Sequence, residues 1–173
     1  IFFDAGLNYF LVDAHALLLA SQRPRYGVYA PVFCASGVAA FARDPHTSKE
    51  VWSADEGYPG NPVYREFYRD IGHDLDRKYI APYIHESGQR IDTGLKYHRV
   101  TGRDVDLGDK EPWVPKEAWA QARQHAKEFI TRRRQQIDQL DILMDRPALI
   151  VAPYDAELFG HWWYEGPAFL DEV

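Results

Sequence analysis

The segment VAPYDAELFGHWWYEGP, residues 151–167, gathers three carboxylates, an imidazole, two adjacent indoles and two phenols behind a short apolar run. A hydrophobic core has no use for that mixture. Aromatic faces pack on the C–H faces of sugar rings, carboxylates and imidazoles hold hydroxyls, and a positioned carboxyl can move protons. Asp155 is the leading residue for that last task, because it follows the apolar stretch ALIVAP directly and would stand at a strand end facing a cleft. The alternative reading is a cap, since Asp is a favoured N-cap residue and AELFGHWW could be the helix it starts. His161, Trp162 and Trp163 are candidates to line the cleft. Adjacent side chains diverge, so one indole is expected in the cleft and another in the core.

Other groups are weaker. Asp13 and His15 lie two apart after an apolar run and would share a face of an extended chain. With His161 they could assemble a divalent-metal site, although no further ligand cluster is visible, and a hydrogen-bonded polar pair explains them as well. Lys96 and His98 alternate with Tyr97 and Arg99, so one pair could meet acids. Tyr26 and Tyr29 sit on a loop bounded by Pro24, Gly27 and Pro31, where an aromatic could close over a bound chain or simply pack. Cys34 has no activating neighbour in the sequence and reads as inert.

Elements must hold these residues in place. LNYFLVD, residues 7–13, reads as a strand after a helix end at Gly6, and AHALLLA as a short helix or turn. Residues 22–60 form a long irregular zone with a short strand in GVAAFARD, and irregular stretches of that length are usually functional. PVYREFYRDIGHDLD is expected as one helix opened by Pro62, and GLKYHRVTG as an alternating strand. The strongest pattern runs from Pro115 to about Asp145. Trp119, Ala122, Ala126, Phe129, Ile130, Ile137, Leu140 and Leu143 recur at spacings of three and four, which makes one apolar stripe on a helix roughly 45 Å long. TRRRQQ within it reads as a solvated face. ALIVAP has the continuous apolar character of a strand buried on both faces. Helix-then-strand order at both ends indicates an α/β architecture, in which ligands bind beyond the strand ends.

Bulk properties exclude several function classes. The chain has 173 residues, 46% of them hydrophobic, enough for one domain core. A formal charge of −6 argues against a nucleic-acid binder. No apolar run is long enough to span a membrane. One cysteine forbids an internal disulfide and fits a cytoplasmic location. The chain opens without Met and its ends read as mid-element, so it is expected to be the central part of a longer protein. The sequence specifies no oligomeric state.

PYDAELFGHWWYEGP resembles the fourth signature segment of glycoside hydrolase family 57. GLNYFLVDAHALL, RPRYGVYAPV, GVAAFARD, VWSADEGYPGNPVYREFYRDIG and GLKYHRVTG resemble the α-1,4-glucan branching branch of that family, in order and over nearly the whole chain. The resemblance implies an incomplete (β/α)7 barrel, with residues 1–173 its C-terminal part, truncated at both ends. It implies a retaining mechanism with two carboxyl groups about 5–5.5 Å apart. Asp155 maps onto the acid/base, which protonates the leaving glycosidic oxygen and later deprotonates the 6-hydroxyl of an acceptor glucan. His161 and Trp162 match positions near the cleaved sugar, and Asp13 and His15 a strand-end segment of the same cleft. The loop carrying Tyr26 and Tyr29 matches one that overhangs the cleft and keeps water out. The implied partners are α-glucan donor and acceptor, and no cofactor or metal is implied. The family nucleophile is a Glu on an earlier strand, so this chain alone is expected to be inactive. The rival readings are another family 57 activity, a non-catalytic glucan-binding module and a metal-dependent deacetylase using Asp13, His15 and His161.

Overall fold

The computed structural model describes all 173 residues. In chain order the named elements are β1 (Tyr9–Val12), α1 (Ala14–Leu18), β2 (Val32–Phe33), β3 (Ala39–Ala42), α2 (Pro45–Trp52), α3 (Ile71–Asp74), α4 (Arg77–Ile80), α5 (Pro115–Leu143) and α6 (Gly166–Glu172), with four 3₁₀ turns between them. They divide into two compact units: residues 1–51 with 128–154, and residues 52–127 with 155–173. Within these residues the regular β-structure is one small three-stranded sheet.

The first unit is built on that sheet. Its order is β1-β3-β2, with β1 parallel and β2 antiparallel to the central β3. The sequence of β3, Ala-Ala-Phe-Ala, puts small residues where neighbours come close, and three of its four residues are buried. Leu17, Val28 and Ala42 form the apolar centre, flanked by Val12 and Val32. Asp44 starts α2: its Oδ2 accepts from Thr47 N–H at 2.9 Å, an N-cap bond. Arg132 and Arg133 of α5 clasp Glu50 at 3.0 and 2.9 Å, so the RRR run is anchored to α2 rather than uniformly solvated. Tyr154 Oη donates to Thr47 O at 3.2 Å, and burial pushes its phenol up to about 12.

ALIVAP departs from expectation. It is extended, with Asp44 N–H donating to Val151 O and Leu149 N–H to Tyr29 O, but it forms no strand ladder and Leu149 is exposed. Each bond goes to a different partner, so no register develops.

The second unit has loops where regular elements were expected. Residues 62–76 do not form one helix. Glu66 N–H donates to His98 O and Val100 N–H to Tyr64 O, which ties both segments into an isolated antiparallel bridge, Arg65 to Arg99. Only α3 and α4 are helical here, each opened by an aspartate, Asp70 and Asp76. GLKYHRVTG likewise forms isolated bridges rather than a strand. The centre of the unit is aromatic: Trp163 packs on Tyr64 and Phe169 with ring centroids 5.4 and 5.0 Å away. Gln121 Nε2 donates to His125 Nε2 at 2.8 Å, which leaves Nδ1–H to donate to Tyr64 Oη at 2.7 Å.

The long helix is as expected over 115–143. Ala118, Ala122, Ala126 and Phe129 are buried along one stripe. Its last turn is not: Ile142 and Leu143 are 84% and 75% exposed, so the apolar stripe extends past the buried part of the helix.

Candidate active site

The second unit carries a pocket of about 780 Å³. The segments that line it are 52–60, 65–68, 100–110 and 155–162. Asp155 is on its wall. It is exposed and precedes a 3₁₀ turn, Ala156–Leu158, as its N-cap residue, but its side chain makes no cap bond. Asp155 thus holds the N-cap position of a short turn without the cap bond, and it is one of the residues that line the pocket. It does not stand at the end of a β-strand, because 148–153 is extended but unpaired in a ladder.

The two tryptophans separate. Trp162 lines the pocket and is 46% exposed. Phe67 stacks against it at 3.9 Å and 23°, which braces one indole face. Trp163 is 1% exposed, deep in the aromatic core, so it does not reach the pocket, and its candidacy as a cleft residue is withdrawn. A tight reversal enforces this split. Gly160 sits at φ +88° and its N–H donates to Trp163 O at 2.9 Å. A side chain at Gly166 would meet Phe159 Cδ1 at 2.8 Å.

His161 is exposed and its Nε2 lies 3.7 Å from Glu157 Oε1. It meets Phe67 edge-on at 5.2 Å, beside the pocket rather than on its lining. Trp52 is the aromatic that sequence reasoning passed over. It is 64% exposed and lines the same pocket. The signal available was an indole inside the irregular Pro- and Gly-rich zone, followed at once by Ser-Ala-Asp.

Acids and bases hold the pocket wall. Glu165 is fully buried, and its Oε1 accepts from Arg65 N–H at 3.1 Å and Trp113 Nε1–H at 2.8 Å. Its Oε2 has no hydrogen-bond partner. Burial pushes its carboxyl above the ordinary value, against the pull of those donors. Arg65 lays its guanidinium over the Tyr164 ring at 3.7 Å, and burial lowers its affinity for the proton. Asp70 is buried and accepts from the N–H groups of Gly72, Thr93 and Gly94 and the Thr93 hydroxyl, all within 3.0 Å. Burial alone would raise it, but those four donors hold it below the usual carboxylate range. Lys96 Nζ lies 3.5 Å from it, and His98 Nδ1 is 4.0 Å from Asp74. One face of the KYHR segment therefore meets acids. Thr101, between the pocket residues Val100 and Gly102, holds a left-handed φ of +64°, a strained position for a β-branched residue.

The remaining candidates lie in the first unit. Asp13 is exposed, with Arg43 Nε 3.6 Å from its Oδ1, and His15 is exposed on α1. Tyr26 and Tyr29 are half-buried rather than protruding. Tyr26 is flanked by Arg25 and Arg146, at 5.0 and 5.3 Å from its ring centroid. Tyr29 Oη accepts from Gln136 Nε2 at 3.4 Å, and burial raises its phenol. No three His, Cys, Asp or Glu side chains converge as a metal-binding set.

No protein-family model matches the chain. It is 35% identical over 184 residues to a 1,4-alpha-glucan branching enzyme of Thermococcus kodakarensis, covering 98% of this chain and 24% of that protein. It is 37% identical to a probable 1,4-alpha-glucan branching enzyme of Mycobacterium tuberculosis, covering 27% of it. Among solved structures, a family 57 branching enzyme of Pyrococcus horikoshii matches with TM-score 0.78 and 37% identity, over 99% of this chain and 28% of that one. Over nearly its whole length the chain is similar to enzymes of glycoside hydrolase family 57. An alpha-amylase of Thermotoga maritima, another solved relative, matches with TM-score 0.91 and 50% identity over 99% of this chain and 33% of its own. The chain spans about a quarter of the length of the curated relatives it matches.

Proposed function

We propose that the chain forms part of an α-1,4-glucan branching enzyme, with Asp155 as the general acid/base and Trp162 and Trp52 as the surfaces on which glucose rings stack. The observation that carries the reading is the placement of Asp155 on the same pocket wall as a braced, half-exposed indole, within a chain whose curated relatives are named as branching enzymes. In the first half-reaction Asp155 donates a proton to the leaving glycosidic oxygen while a second carboxylate attacks the anomeric carbon. In the second, Asp155 takes the proton from the 6-hydroxyl of an acceptor glucan, which then displaces the enzyme carboxylate. The family's incomplete (β/α)7 barrel is the fold assigned to the whole, and a cytoplasmic, reducing location suits the one exposed cysteine, Cys34. By the same resemblance His161, Asp13, His15, Tyr26 and Tyr29 are assigned to glucan contacts.

The test is product linkage from the full-length protein acting on amylose. New α-1,6 linkages are expected, and Asp155→Asn should cut turnover about 10²–10⁴-fold. Wild-type turnover in that variant would overturn the assignment. The 50% identity to an alpha-amylase supports a second reading, in which water replaces the 6-hydroxyl. Shortened chains with no new branches would establish it.

A further inference from the structure

We propose that Glu66 is a specificity residue of this pocket, accepting a hydrogen bond from one sugar hydroxyl; the proposal rests on the glucan reading of the site. Glu66 lines the pocket with Asp155 and Trp162, yet its side chain is only 10% exposed. A carboxylate taken that far out of water needs its lone pairs satisfied. Asp70 shows the saturated case, with four donors and a lysine around it. Glu66 has fewer partners. Oε1 accepts from Tyr68 N–H at 2.9 Å. Oε2 has Lys110 Nζ at 3.8 Å, close enough for charge attraction and too far for a hydrogen bond. Lys110 directs its ammonium elsewhere, donating to Val100 O at 2.7 Å and Gly102 O at 2.9 Å.

The pair therefore balances charge and leaves acceptor capacity on the pocket side. A neutral donor suits that oxygen better than a metal ion, because Lys110 already supplies the positive charge and no group of three His, Cys, Asp or Glu side chains gathers there to hold a metal. The residue is also fixed in place. Its N–H donates to His98 O at 2.8 Å, and the N–H of Arg65 before it is held by Glu165. A sugar ring stacked on Trp162 presents its hydroxyls around its rim, and a rigid carboxylate at that rim selects one of them.

The experiment measures binding to the full-length protein carrying Asp155→Asn, so that ligand is not consumed. The probes are maltoheptaose and methyl α-maltosides lacking single hydroxyls, read by calorimetry. Glu66→Gln should weaken maltoheptaose binding about tenfold, the scale of a hydrogen bond to a charged group. One deoxy analogue should bind the parent about tenfold worse than methyl α-maltoside does, and Glu66→Gln should erase that gap. Glu66→Asp keeps the charge opposite Lys110 but withdraws the carboxylate by one methylene. It should lose the same discrimination. Wild-type affinity in Glu66→Asp, or a uniform loss across all analogues with a lowered melting temperature in Glu66→Gln, assigns Glu66 to counter-ion duty and overturns the proposal. If Trp162→Ala abolishes binding while Glu66→Gln binds maltoheptaose and every analogue as the parent does, this inference falls and the glucan reading stands. No binding of maltoheptaose by the parent overturns both.

Discussion

The sheet unit and the pocket unit treat their acids differently. Around α2 of the sheet unit, Asp44 caps the helix and meets Gln136, and Glu50 is gripped by two arginines. Their oxygens face protein donors. On the pocket wall, Glu66 keeps one oxygen without a hydrogen bond and Asp155 makes no cap bond. The difference teaches that burial alone does not separate these scaffold acids from the acids that line the pocket. Asp70 sharpens the point, since it lies in the pocket unit and is saturated like the acids of the sheet unit.

Truncating acids along that scale should give graded losses. Asp70→Ala is expected to cost the most, about 3–5 kcal/mol, because it strands Lys96 beside unpaired N–H groups. Chemical denaturation at neutral pH measures it. The folded Asp70 carboxyl sits below its ordinary value, so its contribution is present above that value and is lost as pH falls through the lower, folded one. Asp70→Asn should therefore flatten acid unfolding. Asp44→Ala should cost about 1–2 kcal/mol, the usual worth of an N-cap. Glu165 runs the other way. Its folded carboxyl is raised above 4.5, so the protonated form favours the native state, and stability falls as pH rises through the folded value. Glu165→Gln should remove that slope from the melting temperature recorded as pH rises above 4.5. At the small end, Asp155→Ala should shift stability by no more than about 0.5 kcal/mol while abolishing turnover of the full-length protein. A large destabilisation there would break the comparison.

How much was legible in the sequence follows from which interactions are local. The 115–143 helix was readable because Pro115 and the spacing of Ala122, Ala126 and Phe129 act within one element. β1 and β3 were readable as short β-forming runs. Residues 62–76 were misread as a helix because their partners are distant: Tyr64, Arg65 and Glu66 pair with residues 98–100, and pairing across that gap overrides local propensity. ALIVAP was misread because an apolar run specifies burial without specifying a ladder. In the site, Asp155 and Trp162 were legible from their clustering. Glu66 was not, since what marks it out is Lys110, 44 positions along the chain, and a pocket assembled from four segments. The burial of Trp163 beside its exposed neighbour follows the divergence of adjacent side chains, but which indole turned inward depended on the reversal at Gly160.

β1 carries a practical consequence. It pairs with β3 on one side only, and Tyr9 and Leu11 are 63% and 51% exposed. Such a strand is a template on which a second copy can add, so the isolated chain should self-associate as its concentration rises. A lysine in place of Leu11 would act as a gatekeeper, keeping preparations monodisperse by light scattering.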